Sequence, residues 1–247
     1  MTIDNSCPLE AGTPRKLVLY GVEAVFRYCP PGTFLMGSPE SDPKRLHDET
    51  PREVTLTRGF WLLETPVTQA LWKAVTGENP SRFQGADARP VERASWDACA
   101  EFVRRLNDGG LAPDGLKFDF PTEAEWEYAC RAGTTTRYHF GDRMTVANAN
   151  YGSKLGETTP VKSYPPNAWG FYDMHGNVDE WCSDRYGKIS PEPAADPVGA
   201  KEGRFFVLRG GGWNTDAKYC RSASRNYTVS WDAGYSLGFR VALRAAD

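Results

Sequence analysis

The last clear helical period in this chain ends at Gly133; from there to Leu243 the sequence runs through Gly, Pro, aromatic residues and short apolar stretches. That asymmetry excludes a helical bundle and an alternating α/β chain, because both need helical periods throughout. It leaves helices in the first half and short, irregular strands in the second. Three helices are expected before Gly133. The first takes Thr68 as N-cap, buries Leu71, Ala74 and Val75, and stops at Gly77. The second starts near Ser95, places Cys99, Phe102, Val103 and Leu106 on one face, and ends before Gly109-Gly110. The third opens on Pro121-Thr122-Glu123-Ala124-Glu125, a capping box, buries Trp126, Ala129 and Cys130, and ends at Gly133.

Ahead of these helices, LVLYGVEAVFRYCPPGTFLMG alternates apolar and polar residues around turn signals at Gly21 and Pro30-Pro31-Gly32, which reads as a strand meander. SPESDPKRLHDETPRE is a polar loop in which His47-Asp48-Glu49 is expected to be solvated, and VTLTRGFWLLETPV resumes the strand pattern. Residues 1–16 read as an N-terminal tail. With no repeat, low-complexity tract or linker-like break, 17–247 reads as a single domain. The fold class is α+β and loop-rich. With little regular structure to supply burial, eight Trp and eleven Tyr supply much of it.

Several function classes fall away. The net charge is -3 and the basic residues are scattered, so no basic footprint for nucleic acid is present. No apolar run approaches the ~20 residues that span a bilayer. The start, MTIDNSCPLEAG, lacks the basic and apolar regions of a signal peptide and argues for a cytoplasmic location; a cell-surface location requires a removed leader. Cys7, Cys29, Cys99, Cys130, Cys182 and Cys220 form no C-x-x-C pair. Their even number permits disulfides, but Cys99 and Cys130 sit on apolar helix faces, and buried free thiols are the preferred reading. His47, His139 and His175 lack the spacing of a helical metal site. Gly210-Gly211-Gly212 precedes no helix, so it reads as close backbone packing and positive φ rather than a phosphate cradle.

Two stretches carry candidate chemistry. NAWGFYDMHGNVDEWCSD brings Asn177, Asp179, Glu180 and Asp184 into one short segment, oxygen ligands of the kind calcium takes, against the plainer reading of a turn and an acidic strand. LRGGGWNTDAKYCRSASRNYTVSWDAGYSLGFRVAL frames a disordered-looking run of polar and aromatic residues with two rigid ends, and holds one thiol, Cys220.

PPGTFLMGSP, DETPREVTLTRGFWLLETPVTQALW, ENPSRF, RPVERASWDACAEFVRRLN, FPTEAEWEYACRAG, NANYG, PNAWGFYDMHGNVDEWCSD, VLRGGGWN and LGFRVAL, in this order from about Val22 to Leu243, resemble the formylglycine-generating (sulfatase-modifying factor) domain family. The resemblance implies a variant of the C-type lectin fold, with two prominent helices on small antiparallel sheets. In the family's enzymes a pair of cysteines after the G-G-x-[YW] motif holds copper and oxidises a substrate cysteine. Here Asn214 stands near the first of them, no second thiol follows, and Cys220 fits a structural position; one thiol cannot hold copper(I) as a pair does. For structural calcium the resemblance implies Asn177, Glu180 and the carbonyls of Gly176 and Val178, and for a second ion Asn150 and Tyr151. Asp179 replaces the family's usual Trp, so packing there must differ.

Non-catalytic relatives include variable proteins of diversity-generating retroelements, which carry their ligand surface between G-G-x-W and G-F-R at the C-terminus. The resemblance then assigns ligand binding to Trp213, Asn214, Thr215, Asp216, Lys218, Tyr219, Ser224, Asn226, Tyr227, Val229, Trp231, Tyr235 and Ser236, a paratope-like mixture. The expected function is a binding module for a protein or other macromolecule. The competing readings are an O2-using metalloenzyme with a site rebuilt around Cys220, His139 and His175, and an accessory subunit with no ligand surface of its own.

Overall fold

A computed structural model describes residues 9–246, so Cys7 and the first half of the expected tail lie outside the described residues. Strand β1 (Pro14–Leu19) turns at Tyr20-Gly21 into β2 (Val22–Cys29) and pairs with it from Pro14 opposite Arg27 to Leu19 opposite Val22. Strand β1 therefore starts ahead of the boundary set at residue 16: one of its faces is solvated, and its polar sequence hides a strand that β2 nonetheless pairs. Next come β3 (Gly32–Met36), β4 (Arg52–Leu56), β5 (Phe60–Leu63), α1 (Gln69–Thr76), α2 (Trp96–Asp108), β6 (Leu116–Asp119) and α3 (Glu123–Arg131). The second half holds β7 (Asp179–Arg185), β8 (Ala194–Ala195), β9 (Phe205–Arg209), a single 3-10 turn at Ala217–Tyr219, β10 (Asn226–Val229), β11 (Leu237–Phe239) and β12 (Ala242–Ala245).

The strands form three sheets, ordered β1-β2-β5-β12-β6, β10-β9-β7-β11 and β3-β4-β8. The first is antiparallel throughout, whereas β11 runs parallel to β7 and β8 parallel to β4, so two of the three sheets are mixed rather than antiparallel. Periodicity identifies a strand but not its partner's direction. One apolar cluster gathers α1 and α2 around Trp72, Phe102, Phe118, Trp181 and Phe239. The other surrounds α3 with Phe60, Leu62, Trp126, Phe171 and Met174.

The helix caps follow local chemistry. Leu71 N donates to the Thr68 hydroxyl at 3.2 Å, and Gly77 closes α1 at φ 86°. Ala98 N donates to Ser95 Oγ at 3.2 Å, and Cys99, Phe102, Val103 and Leu106 are buried as expected. In α3, Thr122 and Glu125 satisfy each other's amides. Its left-handed stop falls on Ala132 (φ 45°), one residue before Gly133. Of the expected α1 core, Leu71 and Val75 are buried and Ala74 is only half-buried.

Helix α3 is buried on every side, with Glu123, Glu125, Glu127 and Arg131 inside. Unpaired, such charges would be prohibitively costly, so each needs a partner. Glu127 accepts from Gly37 N, from Arg131 Nε at 2.9 Å and from Arg209 Nη2. Glu123 takes Arg225 in a two-pronged contact at 2.6 and 2.8 Å. Arg221 grips Glu49 in the same way at 2.7 and 2.5 Å, and Arg240 grips Glu180 with two bonds of 2.6 Å. Glu49 is thus fully buried, which corrects the reading of His47-Asp48-Glu49 as a solvated run.

Asp184 lacks such a cation. It accepts Glu123 N at 2.9 Å and the Ser183 hydroxyl at 3.1 Å. Burial, reinforced by the Glu123 carboxylate, pushes its carboxyl up to about 7. A raised folded pKa means the folded state holds a proton that the unfolded chain has released, so stability from this group is complete below the unfolded value and lost as pH rises toward 7. Asp184→Asn should therefore stabilise the protein at pH 8, by an amount whose ceiling is on the order of 4 kcal/mol. Urea melts should show the gain shrinking to nothing near pH 4; a gain independent of pH would refute this assignment.

Candidate ligand-binding surface

The glycine triplet sets the entrance to the framed segment. Gly211 sits at φ +71°, and a Cβ there would lie 2.6 Å from Cys220 Sγ. Gly211→Ala therefore combines left-handed strain with a core clash and should cost about 2–4 kcal/mol. A thermal melt within 2 °C of wild type, by calorimetry, would contradict it. A Cβ on Gly212 would lie 2.4 Å from that of Ser236 and 3.0 Å from Asp179 Oδ2, so the two ends of the frame meet over this residue.

Between those ends, the assigned residues divide into two connected groups. Thr215, Tyr219, Asn226 and Tyr227 line an open cleft of about 480 Å³, together with Leu46, His47, Asp48, Asp179, Tyr186 and Arg225. The Tyr186 and Tyr227 rings stack at 4.0 Å, and Tyr186 Oη donates to Asp48 Oδ2 at 2.7 Å. The second group is a ridge on which Trp213 Nε1 donates to Tyr235 O at 3.0 Å while the indole meets Phe83 edge-on at 5.2 Å. The Arg82 guanidinium lies 4.8 Å from the centre of the Tyr235 ring. Asp179 and Ser236 join the groups, the serine hydroxyl donating to Asp179 Oδ2 at 3.0 Å.

Asn214, Asp216 and Lys218 are exposed beside the 3-10 turn, and Lys218 Nζ rests 4.5 Å from the Tyr219 ring centre. Trp231 is 65% exposed at the tip of a turn that Asp232 N closes onto Val229 O. Val229 is half-buried at the end of β10. Ser224 does not belong to the surface. It is buried between Arg221 and Arg225, whose guanidinium groups are drawn inward to Glu49 and Glu123, and its carbonyl accepts from Arg209. Sequence reasoning missed Arg82, Phe83, Leu46, Asp48 and Tyr186. ENPSRF and DETPRE carried Arg82, Phe83 and Asp48 as motif text with no part in the surface.

The expected calcium ligands are engaged with other groups of the protein. Glu180 and Asp179 are consecutive in β7 and project to opposite faces. Both Glu180 oxygens are held by Arg240, and Oε2 also by Trp126 Nε1 at 2.7 Å. Asn177 Oδ1 accepts Thr159 N at 2.9 Å, and Gly176 O accepts Val178 N at 2.9 Å. With the Glu180 carboxylate held by a guanidinium and an indole and the Asn177 and Gly176 oxygens each accepting an amide, this donor set does not fit a resident calcium ion. At the second position, Asn150 Oδ1 is a buried acceptor without a partner, but the nearby Glu157 carboxylate is turned to Arg89 and Tyr151 O faces Lys154 N. Asp184 serves the start of α3 instead.

His139 and His175 do meet, with stacked rings 5.1 Å apart. His175 Nδ1 lies 2.7 Å from Cys220 O and Nε2 accepts His139 N at 3.1 Å, which fixes a neutral ring with no free lone pair. Burial holds both histidines below their ordinary range, His139 at about 4. His47 stands apart, exposed at the cleft. The five described cysteines are all buried free thiols, and burial pushes Cys220 up, so it stays a thiol rather than a metal-binding thiolate.

Among the described residues no helix is long and apolar enough to cross a membrane. The sulfatase-modifying factor enzyme 1-like domain matches residues 26–245. Over 127 residues the chain is 43% identical to serine/threonine-protein kinase pkn1 of Chlamydia caviae, covering 49% of this chain and 20% of that protein. Over 198 residues it is 34% identical to the formylglycine-generating enzyme of Streptomyces coelicolor, covering 71% of this chain and 59% of that enzyme. It thus spans less than two thirds of either relative's length. Among solved structures, Treponema denticola variable protein 1 superposes with a TM-score of 0.83 at 29% identity, over 94% of this chain and 99% of that one. The architecture is the C-type lectin-like fold of that group, and the chain belongs to the sulfatase-modifying factor enzyme 1-like domain family.

Proposed function

We propose that this protein is a binding module that offers the exposed residues between Trp213 and Tyr235 to a protein or other macromolecular ligand, and that these residues are diversified by a retroelement. One observation carries the reading: a segment rich in exposed Tyr, Trp, Asn and Lys is riveted to the core by Arg209, Arg221, Arg225 and Arg240, each buried on its own carboxylate. Such a frame holds its shape whatever the exposed side chains are. The likeness to a variable protein over nearly the whole chain supports the same reading.

The family also contains an enzyme by name, and the two readings differ in tolerance. Randomising Asn214, Asp216, Lys218, Tyr219, Asn226, Tyr227, Trp231 and Tyr235 together should leave most library members folded, judged by protease resistance on a display host. Collapse of most members would overturn the reading. Oxygen uptake on copper addition with a thiol peptide, abolished by Cys220→Ser, would favour the enzyme instead.

A further inference from the structure

Most buried carboxylates of this protein meet a cation: Glu49, Glu64, Glu123, Glu127 and Glu180 each meet an arginine. Asp179 is a departure. It is only 4% exposed, its Oδ2 accepts the Ser236 hydroxyl at 3.0 Å, and the charged group acting most on it is another acid, Glu180. The basic residue lining the same cleft, Arg225, is spent. Its Nε and Nη2 go to Glu123 and its Nη1 to the carbonyls of Asp48 and Gly187. Around Asp179 the cleft walls are Tyr186, Tyr219 and Tyr227, and Asp48 adds a second acid whose Oδ2 already accepts Tyr186 Oη. His47 is the remaining titratable group lining it.

Burial pushes the Asp179 carboxyl up to about 7, and a guanidinium or ammonium group brought beside it restores its charge. A buried carboxyl without a cation, opening onto aromatic faces, is therefore complementary to such a group: the ionised carboxylate supplies charge-assisted hydrogen bonds and the rings supply cation–π contact. The protein uses this arrangement internally, where Arg225 pairs with Glu123 and lies 4.6 Å from the Tyr186 ring centre. We infer that the cleft between Asp179 and the three tyrosines receives a cationic side chain, arginine or lysine, of the protein ligand. This rests on the binding-module reading and narrows it: Asp179 and Tyr186 lie outside the varied set, so the demand for a cation persists, while Tyr219 and Tyr227 set how well it is held in each variant.

The test needs no natural partner. N-acetyl-arginine methylamide and its neutral isostere N-acetyl-citrulline methylamide are titrated to about 50 mM while the ring signals of Tyr219 and Tyr227 are followed by NMR. The arginine amide should shift those signals and saturate, with the citrulline amide at least roughly tenfold weaker. Asp179→Asn, which keeps the shape and the Ser236 contact, should abolish the difference between the two probes. Equal binding of both probes, an unchanged preference in Asp179→Asn, or no shift by either probe would overturn the inference. Those failures leave the surface reading standing, because that reading is tested on the exposed residues and not on Asp179.

Discussion

Glu180→Ala is expected to lose about 3–5 kcal/mol of folding stability, because it leaves the fully buried Arg240 guanidinium without its counter-charge. For a chain of this size that is a fall of roughly 10 °C in Tm. The same substitution removes the acceptor of Trp126 Nε1 at the centre of the α3 core, so the effect should sit at the upper end of the range. The loss should be equal in excess calcium and in excess EGTA, and EGTA should leave the wild-type Tm unchanged. A wild-type Tm that drops on chelation, with Glu180→Ala then indifferent to it, would restore Glu180 as a metal ligand. Replacing both partners, Glu180→Met with Arg240→Met, should recover part of the loss, since the pair's main demand is mutual neutralisation.

The second large effect is on binding. Tyr227 and Trp231 are 44% and 65% exposed, so truncating either should change stability by less than about 1 kcal/mol. Aromatic anchors nevertheless dominate interfaces, and Tyr227→Ala should weaken a natural partner, or a peptide selected by display against the wild type, by about 30-fold or more. Trp213→Ala should match that loss but also soften the ridge, because the indole supports Phe83 and the Tyr235 carbonyl. Calorimetric titration beside a thermal melt separates the two contributions. Unchanged affinity in Tyr227→Ala and Trp231→Ala alike would move the ligand surface elsewhere.

What could be read from the sequence was what is decided locally. Thr68, Ser95 and Thr122 cap their helices because a hydroxyl and an amide three residues on are enough to define the start. The Gly211 conformation and, among the described residues, the absence of an α-helix after Gly133 were legible for the same reason. What depended on partners far along the chain was not. Glu49 looked like a solvated charge because Arg221, 172 residues away, is what buries it. Ser224 looked like a surface serine because the inward pull of Arg221 and Arg225 leaves no local trace. Asn177, Asp179, Glu180 and Asp184 looked like one ligand set because their closeness in sequence hides where each is used: Asp179 and Glu180 fall on opposite faces of β7, Arg240 holds Glu180, and Asp184 serves the start of α3. Asp179 was the informative exception. A charge where the family keeps Trp signalled altered packing, and it lies where the cleft opens.

The most direct test of the central claim, that the framed segment is a diversified ligand surface, is to sequence the encoding locus and its flanks from several independent cultures. A near-copy of the stretch encoding Leu208–Leu243 is expected beside a reverse transcriptase gene. Differences should fall at adenines in codons for exposed positions such as Asn214, Asn226 and Tyr227, with Gly211, Arg221, Arg225 and Arg240 unchanged. A single-copy segment, invariant across all cultures, would contradict it.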